Sequence, residues 1–149
     1  MWQLDEAGMA RVSAALAGVL HAGDVVALSG PLGAGKTTLV RGVLLALGHD
    51  GEVPSPTFAI VQPYDVTSVP VAHADLYRLE DASELEELGL EDQLVDGALL
   101  VEWPERAGEA AWPQALRLDL QPLPDGRRAL TWKVPEAWEG RWPQPLNPS

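Results

Sequence analysis

The run "VVALSGPLGAGKTTLVRG", residues 25–42, constrains this chain more than any other stretch. Val25 to Ser29 form a short apolar run suited to a strand buried on both faces. Gly30-x-x-x-x-Gly35-Lys36-Thr37 follows, which satisfies the phosphate-loop pattern in full. Glycines there allow the positive φ angles that turn successive N–H groups toward one anion. From Lys36 to Leu47 the residues Leu39, Val40, Val43, Leu44 and Leu47 recur at helical spacing, and Gly48 stops the run. A helix starting at Lys36 adds its N-terminal dipole to the same anion. Strand, glycine loop and helix in that order predict an α/β chain that holds a phosphate group. Lys36 is then placed for the β- and γ-phosphates and the Thr37 hydroxyl for Mg2+.

The rest of the chain fits such a sheet. Residues 5–20 read as a helix capped by Asp5, with Met9, Val12, Leu16, Val19 and Leu20 on one face. "EVPSPTF" cannot be helical, because Pro54 and Pro56 hold the residues before them extended. "FAIVQPY" and "VPVAHADLYRL" read as an antiparallel pair of strands. "DASELEELG" reads as a short helix with a capping box from Ser83 to Glu86 and an end at Gly89. "ALLVEW" is a second buried strand. The alternation Leu116, Leu118, Leu120, then Leu130, Trp132, Val134, with Asp125-Gly126 between, predicts a hairpin. The fold class is therefore α/β: a single phosphate-loop NTPase-like domain with a mixed, mostly parallel central sheet flanked by helices and antiparallel edge strands. The domain is expected over residues 1–134, and residues 135–149, with their prolines and no periodicity, as an irregular or disordered tail.

Composition narrows the function classes. Without cysteine the chain has no disulfide, no thiolate metal site and no cysteine nucleophile. A formal net charge of −12 with only 10 Lys and Arg makes it a poor candidate for gripping nucleic acid alone, since phosphate neutralisation needs clustered cations. No apolar run approaches the roughly 20 residues that cross a bilayer, so no membrane role and a cytoplasmic location are the expectation.

Two carboxylates are candidates for the chemistry. Glu102 follows the unbroken apolar run Ala98 to Val101, which puts it at the carboxyl end of a core strand, where such sheets bind ligands. It is the better partner for a cation shared with Thr37. Asp75 follows a poorer strand and is open to three readings: positioning an attacking water, helping to bind metal, or closing a turn. His73, two residues earlier on the same strand face, reads as structural rather than as a zinc ligand. Thr57, in a constrained loop before a strand, is placed to sense a γ-phosphate as a switch threonine does, or is a plain loop residue. The single asparagine, Asn147, lies in the tail and neither lysine belongs to a guanine-reading signature, so ATP is the expected nucleotide, with ADP as product.

Taken together, "GPLGAGKTTLVRG", "VPSPTFAIVQPY", "HADLYRLED", "ELEELGLEDQL" and "LVEWPERAG", in that order, resemble the bacterial TsaE (YjeE) family of ATPases over residues 25–110. The resemblance implies a slow ATPase that works with TsaD and TsaB in installing threonylcarbamoyl on a tRNA adenosine, meeting tRNA only through that complex. It implies that Lys36 and the amides of Gly33, Ala34, Gly35, Lys36, Thr37 and Thr38 hold the phosphates. It further implies that Thr37 and Glu102 serve Mg2+, that Asp75 is needed for hydrolysis, that Thr57 lies in a switch-like loop and that Trp103 stands beside the nucleotide. Met9 stands where members often carry a threonine, so the contact that this threonine would make does not carry over at that position. Two other functions share the loop: a kinase acting on a small molecule, and a nucleotide-gated interaction module without turnover.

Overall fold

A computed structural model describes residues 1–31, 33–49, 61–64, 69–79, 81, 83–84, 88–108 and 111–143. Its centre is the strand that the sequence places first, β2 (Val25–Ser29), following β1 (Trp2–Leu4) and α1 (Glu6–Val19). After β2 come α2 (Lys36–Ala46), β3 (Val61–Tyr64), β4 (Val71–Asp75), α3 (Leu90–Asp96) and β5 (Ala98–Glu102). A 3-10 turn over Pro104–Ala107, the hairpin β6 (Leu116–Pro122) and β7 (Arg128–Lys133), and a 3-10 turn over Glu136–Trp138 complete the chain. One seven-stranded sheet runs in the order β1-β7-β6-β2-β5-β4-β3. β2 is parallel to both β5 and β6, and β4 is parallel to β5; the antiparallel pairs β3–β4, β6–β7 and β1–β7 lie toward the edges. Pro63 is tolerated within β3 because that strand pairs on one side only.

Both faces of the centre are covered, which is why β2 and β5 read as continuous apolar runs rather than alternating ones. On one face Val26, Leu28 and Leu100 pack with Leu116, Leu118 and Leu120 against Val12 and Leu16 of α1 and Leu39, Val40, Val43 and Leu44 of α2. On the other, Val25, Ala27, Leu99 and Val101 meet Leu76, Leu79, Leu90 and Ala115. α1 begins at Asp5, whose carboxylate accepts the Gly8 N–H at 2.7 Å, the cap that the sequence predicts. The facing helices are tied by Ser13 of α1, whose hydroxyl lies within hydrogen-bond distance of the Leu39 carbonyl of α2 at 3.2 Å.

Three features differ from the sequence reading. β1 precedes α1; its three residues are too few to show a period. α3 (Leu90–Asp96), for which the sequence reading has no helix, follows directly on Gly89, whose left-handed geometry, φ 65°, suits the helix end that the sequence reading places there. The capping box itself involves Glu86, outside the described residues. The third is a correction. Residues 135–143 have no regular period, as read, but they are not a loose tail. Trp138 is fully buried and Trp142 is 4 % exposed within the larger core. Arg141 donates two hydrogen bonds to the Asp24 carboxylate, at 2.7 and 2.9 Å, and one to the Val19 carbonyl at 2.8 Å. It thereby places a cation at the C-terminal end of α1, which has no basic residue of its own in its last turn. Arg141 also stacks on the Trp138 ring, 4.2 Å from its centroid. Among the described residues no helix is long and apolar enough to cross a membrane.

Candidate phosphate-loop site

Parallel register brings the site together. Leu28 pairs with Glu102 and Asp75 pairs with Glu102, so β2, β5 and β4 all end at one level. The chain leaves β2 through the glycine loop at that level and enters α2. Gly33 and Gly35 take φ of 78° and 103°, a conformation that L side chains rarely adopt. A Cβ built on Gly33 would meet nothing within 4 Å, so the loop's bend faces open space. Its Ala34 N–H donates to the Pro31 carbonyl at 3.1 Å, so that amide is already used inside the loop. Thr38 is exposed at the start of α2.

Lys36 is 5 % exposed. Its ammonium donates to the carbonyls of Gly30 and Pro31 and lies 3.9 Å from the centroid of the Trp103 ring. Burial pushes its pKa below the ordinary lysine value, while the negative charges of Glu102, Glu105, Asp75 and Asp119 pull the other way. Trp103 holds left-handed geometry, φ 59°, which turns the chain out of β5 and sets its ring over Lys36. Tyr77 packs beside that ring, 5.0 Å between centroids.

Glu102 ends β5 and is 3 % exposed. The Thr37 hydroxyl lies 3.2 Å from each of its carboxylate oxygens, and His73 Nε2 lies 2.6 Å from Oε2. Asp75, at the end of β4, accepts the Tyr77 N–H at 3.0 Å. Desolvation raises its pKa above the ordinary aspartate value, and Glu102 adds to the rise. The Tyr77 N–H, His73 and Lys36 oppose it. A raised folded-state pKa means that the charged form is held at a cost. That cost is absent below the unfolded-state value of 3.8 and grows as pH rises through the folded-state value. Asp75→Asn keeps an oxygen for Tyr77 and removes the charge. Its melting temperature is expected to match the parent's at low pH and to exceed it at pH 7–8. Paired melting curves across that range check this, and an equal or lower melting temperature at pH 8 would refute it.

The structure therefore brings Lys36, Thr37, Glu102, Asp75 and Trp103 to one end of the sheet, with Gly33, Ala34, Gly35 and Thr38 along the loop. Thr57 lies outside the described residues. Sequence reasoning missed Arg128. At the start of β7, its guanidinium donates to the Gly33 carbonyl at 3.3 Å. Only its place in the longest basic run set it apart in the sequence. A pocket of about 370 Å3 opens behind the loop, lined by Leu4, Met9, Ala10, Gly35, Thr38 and Arg128 among others.

A glycine loop between a central parallel strand and a helix, faced by a strand-end carboxylate, defines the phosphate-loop NTPase-like class of α/β folds. Residues 4–130 match the family described as "Threonylcarbamoyl adenosine biosynthesis protein TsaE", and the chain belongs to that family. It is 47 % identical over 92 residues to the tRNA threonylcarbamoyladenosine biosynthesis protein TsaE of Haemophilus influenzae, covering 61 % of this chain and 58 % of that protein. The namesake from Bacillus subtilis is 38 % identical over 125 residues, covering 83 % of this chain and 76 % of its own. The crystal structure of Bacillus subtilis YdiB superposes with a TM-score of 0.72 at 28 % identity, over 89 % of this chain and 83 % of that one.

Proposed function

We propose that this chain binds ATP with Mg2+ at the loop, hydrolyses it slowly, and thereby serves threonylcarbamoyladenosine formation on tRNA together with TsaD and TsaB. The observation that carries the reading is the meeting of the Thr37 hydroxyl and the Glu102 carboxylate beside Lys36. Two hard oxygen donors suit Mg2+, which keeps most of its shell for water and phosphate. Among the described residues no group of three or more His, Cys, Asp or Glu forms an all-protein cage, in keeping with a cation that arrives with its nucleotide. The pocket of about 370 Å3 falls in the size range of small-ligand sites and adjoins the loop through Gly35 and Thr38, which suits the nucleoside half.

In this reading the amides of Gly33, Gly35, Lys36, Thr37 and Thr38 and the Lys36 ammonium receive the phosphates, and the Ala34 N–H joins them once the anion draws it off the Pro31 carbonyl. An arriving anion draws Lys36 off the carbonyls of Gly30 and Pro31. Bound Mg2+ would draw negative charge from the phosphate oxygens. Thr37 and Glu102 would hold it. Asp75, its pKa raised by desolvation, is a stronger base than an ordinary aspartate and orients the attacking water. Thr57 senses the terminal phosphate. Trp103 covers Lys36 from the side. Slow turnover follows if the transition-state cation is supplied by a partner, because an arginine finger is worth about 10³ to 10⁵ in rate. The charge of −12 keeps RNA at a distance unless the partners present it.

The test is equilibrium binding of ATP and ADP to the purified chain with and without Mg2+, followed by phosphate release alone and with TsaD and TsaB. Mg2+-dependent binding and partner-stimulated release are expected. A stoichiometric phosphorylated product from a metabolite panel would make the protein a kinase instead. Intact tRNA modification by a variant that binds but cannot hydrolyse ATP would make it a nucleotide-gated module.

A further inference from the structure

We infer that His73 is a positioning residue for Glu102: its Nε2–H holds Oε2, so that Oε1 is presented toward Thr37 and a cation beside it. The inference rests on the reading of Glu102 as a Mg2+ ligand. Thr37 Oγ1 is equidistant from the two carboxylate oxygens, at 3.2 Å, so that contact alone does not decide which oxygen faces which way. The contact from His73 does, because it is shorter, at 2.6 Å, and falls on Oε2 only.

Strand register makes the contact. Asp75 stands opposite Glu102, and His73, two residues earlier on β4, points to the same face and meets Glu102 on the diagonal. His73 is fully buried and Glu102 nearly so. A carboxylate only accepts hydrogen bonds, so Nε2 must carry the proton. The other ring nitrogen, Nδ1, has no hydrogen-bond partner among the described residues. A buried imidazole with an orphaned nitrogen is a poor core filler, and an aliphatic side chain would pack there without that cost. Its use lies in the bond that it donates, the same second layer that orients ligands at metal sites in general.

The test compares His73→Leu, His73→Asn and His73→Gln. Glutamine carries its amide nitrogen as many bonds from Cα as histidine carries Nε2; asparagine stops one bond short. The readout is the ratio of ADP affinity in Mg2+ to ADP affinity in EDTA. His73→Leu and His73→Asn are expected to lower that ratio about tenfold or more, with affinity in EDTA nearly unchanged, while His73→Gln keeps most of it. A Mg2+-dependent parent whose ratio survives in the Leu and Asn variants overturns the inference alone. A parent indifferent to Mg2+ overturns the reading of Glu102 and the inference with it. Should the variants fail to fold, ¹⁵N spectra of the unliganded parent decide. An Nε2-protonated ring whose bonded proton moves in Glu102→Gln supports the inference, and an Nδ1-protonated ring overturns it.

Discussion

Lys36→Ala is expected to weaken ATP binding by about 10²-fold or more, roughly 3 kcal/mol, while leaving the fold intact. An ammonium facing phosphate oxygens makes charge-assisted hydrogen bonds, each worth about 1.5–3 kcal/mol, and two phosphates fall within its reach in the proposed complex. The fold should survive because Lys36 is not held for stability. Burial lowers its pKa, so its charge is carried at a cost in the unliganded protein. Truncation removes that cost and leaves two loop carbonyls, of Gly30 and Pro31, to water. Lys36→Arg should not rescue binding fully, because a planar guanidinium does not replace a compact ammonium in a close loop. Calorimetric titration with ATP, beside melting curves of both variants, checks both halves of the claim. Undiminished binding in Lys36→Ala would remove the ammonium from the site. The unliganded variant should also change its tryptophan emission, since the cation rests 3.9 Å from the Trp103 ring centre.

How far such a site can be read from sequence depends on whether its contacts are local. The loop was legible because phosphate binding needs glycines, a lysine and a hydroxyl at fixed spacing on one short segment. β2, α2 and β5 were legible because burial on both faces leaves an unbroken apolar run, and burial on one face leaves a helical period. Glu102 followed from its place at the end of such a run. Its bond to His73 did not. That contact depends on the register of β4 against β5, and a shift of one residue would put His73 on the opposite face. Arg128 reaches the loop from a hairpin more than ninety residues away in sequence, with no local signal. α3 has seven residues and buries Leu90 through the turn that Gly89 makes, too little for a period to show.

The segment after Pro135 was misjudged for the same reason, and it gives the largest expected effect on stability. Trp138→Ala should cost about 3–5 kcal/mol, the usual range for emptying a buried tryptophan site, against a total stability of about 5–15 kcal/mol for an ordinary domain. At about 2–4 °C per kcal/mol for a chain of this size, the melting temperature should fall by about 6–20 °C. The site is fully buried, and the ring also supports the guanidinium that joins Asp24 and the end of α1. Trp138→Phe separates two parts of that cost. The indole Nε1 has no hydrogen-bond partner among the described residues, so phenylalanine loses volume but also removes a buried orphan donor. Its penalty should be clearly smaller than that of alanine. Urea unfolding of both variants checks the pair. An alanine variant as stable as the parent would return residues 135–143 to the status of a tail. Equal penalties would mean that a phenyl ring restores nothing, and that the loss common to both variants, the indole N–H and the outer part of the ring, sets the whole cost, against Nε1 being an orphan donor.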